Sequence, residues 1–216
     1  MKILLLHFTL ILAFCNTGYS QKGKFHPGFY INLKGDTISG FISSNIKNTK
    51  PVFNFKSEAN AVDFKTISFD TCKLLTEGNE SYANWFGPRG MTYIDKFEFT
   101  IENPDSIIIA RIPLKLLYQG KKISLYIFHD IMDHFFISAG GTIQELSVKY
   151  RNVTNFEKIQ LMNQKNPPTY FSIPVYKDQI RDLIGNKLSR AKNDLVESTE
   201  FDDRSLVKLF KKLDAR

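Results

Sequence analysis

The chain has 216 residues, with 29 Lys or Arg against 22 Asp or Glu, a formal charge of +7 and two cysteines. That length supports one hydrophobic core and excludes a small disulfide-stapled scaffold, while 43% apolar residues exclude a disordered, charge-dominated chain. The basic residues are scattered rather than blocked, so the excess describes a solvated surface, and no nucleic-acid partner is expected.

Met1 and Lys2 precede an apolar run from Ile3 to Phe14, and Gly18, Tyr19 and Ser20 stand before Gln21. A charged start, a short apolar core and small residues before a cut read as a secretory signal peptide over residues 1–20. The run is shorter than the roughly 20 residues that a membrane span needs. Cys15 offers an alternative, a lipid anchor at the end of that run, although Phe14 stands where the processing enzyme favours a small residue. No later stretch resembles a transmembrane helix, so none is expected after cleavage. With Cys15 removed, Cys72 is the single thiol of the mature chain, and the fold stands without disulfides. Loss of Lys2 takes the charge from +7 to +6.

Residues 21–150 read as an antiparallel β domain. In "YINLKGDTISGFIS", residues 30–43, the pair Gly35-Asp36 separates two alternating runs. A phosphate loop needs a helix after its glycines, and Thr37 and Ile38 favour strand, so the stretch predicts a hairpin with Phe29, Ile31, Leu33, Ile38 and Ile42 on one face. "PVFNF", "TISF", "CKLLT" and "YIDKFEFT" follow as strands. In "SIIIARIPLKLLY", residues 106–118, Pro113 punctuates the run, as Pro104 does just before it. From residue 113 to 148, "PLKLLY", "ISLYIF", "HFFIS" and "TIQELSV" predict a four-stranded meander with short polar connections.

Residues 151–174, with Pro167, Pro168 and Pro174, read as a connector. Ile180, Leu183, Ile184, Leu188, Ala191 and Leu195 then recur at helical spacing, with Gly185 as a weak point. A second amphipathic helix carries Leu206, Leu209, Phe210 and Leu213, with Asp202 as its N-cap and Lys208, Lys211 and Lys212 on its other faces. Residues 175–216 are therefore expected to pack as two helices on the β domain. The expected fold is mainly β with an α tail: an antiparallel sheet, rolled or sandwiched, followed by two C-terminal amphipathic helices.

Two stretches carry candidate chemistry. "SYANWFGPRGMTY", residues 81–93, gathers Tyr82, Trp85, Phe86, Arg89 and Tyr93 around Gly87, Pro88 and Gly90, an aromatic-rich loop with one arginine; such residues dominate binding hot spots. "HDIMDH", residues 129–134, offers His129, Asp133 and His134 as metal ligands, with Asp130 between them. Apart from these histidines the mature chain has only His26. Cys72, in "DTCKLL", reads as a small buried hydrophobe, and no Gly-x-Ser-x-Gly elbow occurs. No catalytic residue and no cofactor are assigned.

Lys34, Gly35, Asp36, Thr37, Ile38 and Gly40, together with Gly120, Leu125 and Tyr126 in the later strand pair, resemble a group of exported Bacteroidota proteins of unknown function. In that group a Lys-Gly-Asp-Thr-Ile-x-Gly hairpin follows the signal peptide, and a helical tail similar to residues 175–214 often closes the domain. The resemblance implies a periplasmic or extracellular place and brings no catalytic residues. Some similar proteins continue into an outer-membrane barrel, which is not expected here. The leading functional expectation is a non-enzymatic envelope module that binds a protein or a polymer through Trp85 and its neighbours. The alternatives are a carrier of a small apolar ligand in a β-enclosed cavity, and a metal-assisted hydrolase at His129, Asp133 and His134.

Overall fold

Alternation of apolar and polar residues leaves each strand with one face to bury, and in the computed structural model the strands meet this need by joining one large sheet. The structure describes residues 24–46, 51–95, 100–165, 167–185 and 188–214. The expected signal peptide, Cys15 and part of the "YIDKFEFT" run lie outside these residues.

The chain opens with the expected hairpin, β1 (His26–Asn32) and β2 (Thr37–Asn45). Its turn is held by Asn32, whose side-chain oxygen accepts from the backbone N–H groups of Gly35 and Asp36, both at 2.9 Å. The register differs from the expected face. Phe29 pairs with Ser39 and Ile31 with Thr37, so these two residues lie opposite to Ile38 and Ile42. Tyr30, not Phe29, shares the buried side with Ile42, because the register across the turn decides which residues face together.

β3 (Val52–Lys56), β4 (Lys65–Ser68) and a short 3-10 turn lead to β5 (Cys72–Glu77), which returns beside β1. β6 (Glu80–Gly90) pairs with β5 and then with β9 (Ile107–Gln119); between them a small hairpin forms from β7 (Tyr93–Ile94) and β8 (Ile101–Glu102). β9, β10 (Ile123–His129), β11 (Asp133–Ala139) and β12 (Thr142–Leu146) form the predicted meander. The ten strands lie in the order β12-β11-β10-β9-β6-β5-β1-β2-β3-β4, all antiparallel, in an open sheet rather than a barrel. β9 runs unbroken through Pro113. That residue pairs with Asn84 of β6 beyond the last β9 residue paired to β10, Lys115, so the missing N–H falls where the strand has one neighbour.

The connector has structure of its own. β13 (Lys149–Asn152) and β14 (Tyr170–Ile173) pair around α1 (Asn155–Leu161). The expected long helix is two helices, α2 (Val175–Ile184) and α3 (Arg190–Glu197), because Gly185 takes φ +96°, a left-handed value that ends a helix. α4 (Asp203–Asp214) is the predicted last helix, with Asp202 accepting from the Ser205 N–H at 2.9 Å. Tyr176, Ile180, Val196, Leu206, Leu209, Phe210 and Leu213 cover Ile123, Leu125, Ile127, Phe135, Ile137 and Leu146 on one face of the meander. On the opposite face Leu114 and Phe136 pack with Trp85 and Ile112. A third cluster, with Ile42, Phe53, Cys72 and Leu75, fills the other half of the sheet. No described helix is long and apolar enough to cross a membrane.

Candidate functional site

The stretch expected as an aromatic loop is strand β6, and alternation divides its side chains between two faces. Trp85 and Arg89 pair across from Ile112 and Ile108, on the face that carries Leu114 and Phe136. Tyr82 and Phe86 occupy the other face. The Tyr82 hydroxyl donates to Glu80, and Phe86 is exposed under the Arg111 guanidinium, 5.2 Å from its ring centre. Tyr93 stands apart on β7. Of the five residues, the fold therefore brings together Trp85 and Arg89.

Trp85 is buried against Phe136, with ring centroids 4.8 Å apart. Gly87 makes this possible: a Cβ there would stand 2.5 Å from the indole ring. The contact carries β6 across to β11, three strands away in sheet order, and brings it against β12, the fourth.

A partly buried polar network seals that junction. His134 on β11 is 5% exposed. Its Nδ1 donates to Glu145 Oε1 on β12 at 2.7 Å, and the other oxygen of Glu145 accepts from the Gly90 N–H at 2.6 Å. His134 Nε2 lies 3.1 Å from Asp130 Oδ1 and 3.4 Å from Arg89 Nη1. The ring nitrogen thus finds an acceptor when protonated and a donor when bare. Arg89 also pairs with Asp130 at 2.6 Å. Glu145 is positioned from behind by Gln179 on α2, whose amide donates to the Glu145 carbonyl and accepts from the Ser147 N–H, both at 2.9 Å. The same amide occupies two backbone groups at the end of the outer edge strand, which would otherwise stand open to another chain.

The expected metal trio is split. His129 and Asp133 are cross-strand partners, joined at 2.5 Å and exposed, whereas His134 points to the opposite face. Among the described residues no group of three or more His, Cys, Asp or Glu side chains could hold a metal ion. Cys72 is fully buried, and burial, with Asp70 adding to it, pushes its thiol up to about 12.

Beside the network opens a cleft of about 410 Å³, walled by Trp85, Arg89, Ile107, Ile143, Glu145 and Phe201. That volume lies in the range of about 300–1,000 Å³ in which proteins hold small ligands. Glu145 was the residue that sequence reading passed over. Its signal was parity: it shares a face of β12 with apolar Ile143, as His134 shares one of β11 with Phe136.

The Asp130 carboxyl is pulled in two directions. Burial raises it, but the Met132 N–H hydrogen bond and the charges of His134 and Arg89 outweigh burial and hold it below the usual carboxylate range. The stabilisation is therefore complete above the unfolded value of about 3.9 and is lost as pH falls through the lower folded value. Glu157, held at about 2 by its hydrogen bonds from Arg151 and Thr154, acts with the same sign. The melting temperature is expected to stay level from pH 7 to about pH 5 and to fall below about pH 4. Asp130→Asn should make that acid decline shallower, read by circular dichroism melts across the pH series.

Comparison with protein-family models, with curated proteins and with solved structures finds no significant match.

Proposed function

We propose that this chain is an exported, non-enzymatic binding module whose ligand sits in the cleft beside Trp85. The observation that carries the reading is the junction itself: a partly buried charge network holds two strand ends together and leaves beside it a cleft in which Trp85, Ile107, Ile143 and Phe201 meet charged and polar side chains, the mixture that orients a small ligand. Both nitrogens of His134 are engaged by Glu145, Asp130 and Arg89, which supports a positioning role over that of a general base. The cleft volume favours a small molecule over a protein or polymer, so the carrier alternative gains, with an open cleft in place of an enclosed cavity. Export rests on residues 1–20 and on the resemblance to envelope proteins.

The test is mass analysis of the protein purified gently from its own cells, alongside the variant Ser106→Phe. Ser106 is exposed at the cleft mouth, so added bulk there narrows the cleft without disturbing the core. A small molecule retained by the unaltered chain and missing from Ser106→Phe is the expected result. Equal retention by both would remove the cleft, and a crosslinked envelope protein with no retained small molecule would restore the protein-partner reading.

A further inference from the structure

Arg89 is a charged side chain of the cleft whose guanidinium lies 5.2 Å from the Phe128 ring centre yet keeps donors unspent. Its side chain is only 10% exposed. Nη1 serves both Asp130 and His134, yet the buried Nε has no hydrogen-bond partner, and Nη2 makes no hydrogen bond among the described residues. A buried donor left unmatched is costly, and a guanidinium that spends one nitrogen of three is poised for an acceptor. The acids of the cleft are in the opposite condition. Asp105 is paired with Lys149, Asp133 with His129, and Glu145 accepts from His134 and Gly90. Arg89 therefore carries unspent donors beside acids that already have partners.

We propose that the cleft takes an apolar molecule ending in a carboxylate, with the carboxylate on the Nη2 side of Arg89 and the apolar body between Trp85, Ile143 and Phe201. A charge-assisted hydrogen bond to a guanidinium is about twice as strong as a neutral one, so a carboxylate profits more than an alcohol of the same length. Asp130 and Glu145 oppose a third anion nearby. The Met132 N–H on Asp130 and the Gly90 N–H on Glu145 draw part of that charge away from the guanidinium. The assignment rests on the cleft being the binding site.

The chain has a single tryptophan, Trp85, and it forms a wall of the cleft, so its fluorescence reports occupancy directly. Hexanoate, hexan-1-ol and hexylamine share one apolar body and differ in the end group. Titrated into the full chain, hexanoate is expected to bind about tenfold tighter than hexan-1-ol, with hexylamine weakest. Arg89→Lys, which keeps a cation within reach of Asp130, should erase the advantage of hexanoate over hexan-1-ol, and Ser106→Phe should weaken all three. Equal binding of the three, or a preference for hexylamine, would overturn the carboxylate assignment while leaving the cleft as the site. Binding of all three that Ser106→Phe leaves unchanged would overturn the cleft as well, and an unresponsive Trp85 would overturn the assignment in the unaltered chain, with no appeal to variant folding.

Discussion

Glu145→Ala is expected to lower folding stability by about 3–5 kcal/mol, the cost of removing one partner from a buried ionic group. The carboxylate has two dependents. Without it the His134 Nδ1–H, on a side chain 6% exposed, and the Gly90 N–H both lose their acceptor, and the end of β6 loses its hydrogen bond to β12. Urea unfolding should give the stability loss, and hydrogen exchange at the Gly90 amide should rise by more than at β1 amides, because the tie is local. A loss under about 1 kcal/mol would mean that apolar contacts alone hold the junction. The double replacement His134→Phe with Glu145→Leu should cost much less than the sum of its single changes. Replacing a buried polar pair with apolar groups removes the desolvation penalty along with the bond. If the double variant is stable but no longer distinguishes hexanoate from hexan-1-ol, the network is retained for ligand positioning rather than for the fold.

Trp85→Ala should be as damaging by a different mechanism, about 3–5 kcal/mol from lost burial and the cavity left behind. The indole is 9% exposed and lies on Phe136, which is fully buried, so both rings lose contact together. Trp85→Phe keeps a ring on Phe136 and should cost about 1–2 kcal/mol. Chemical unfolding followed by far-ultraviolet circular dichroism measures both variants, since the substitution removes the only tryptophan. Near-equal stability of Trp85→Ala and Trp85→Phe would show that the contact with Phe136 contributes little and that Trp85 is held for its ligand.

Much of the fold was legible because its signals are local. The meander strands, the Asn32-to-Asp36 turn and α4 with its Asp202 cap each rest on residues within a few positions of one another. The site was legible only in part. Trp85 and Arg89 stood out by residue type, but so did Tyr82, Phe86 and Tyr93, which the fold sends elsewhere. The glycines and proline of residues 87–90 read as loop chemistry, whereas Pro88 pairs with Ile109 on β9 beyond the last β6 residue that β5 pairs, Ala83, and Gly87 yields space to Trp85. His129, Asp133 and His134 were grouped by proximity in the chain, and the two-residue period of a strand parts His134 from its neighbour Asp133.

The sequence by itself determined that this chain builds an antiparallel sheet with amphipathic helices at its end, since periods of 2 and 3.6 are written in consecutive residues. It also placed an aromatic and an arginine on the strand that later walls the cleft. Only the tertiary structure decided which faces those residues share and what they meet. Arg89 reaches His134 across 45 positions and Gly90 reaches Glu145 across 55, distances over which no local pattern carries information. The curl of the sheet brings β6 to β12, and that approach turns a histidine, two carboxylates and an arginine, each ordinary in its own segment, into one partly buried network beside an open cleft.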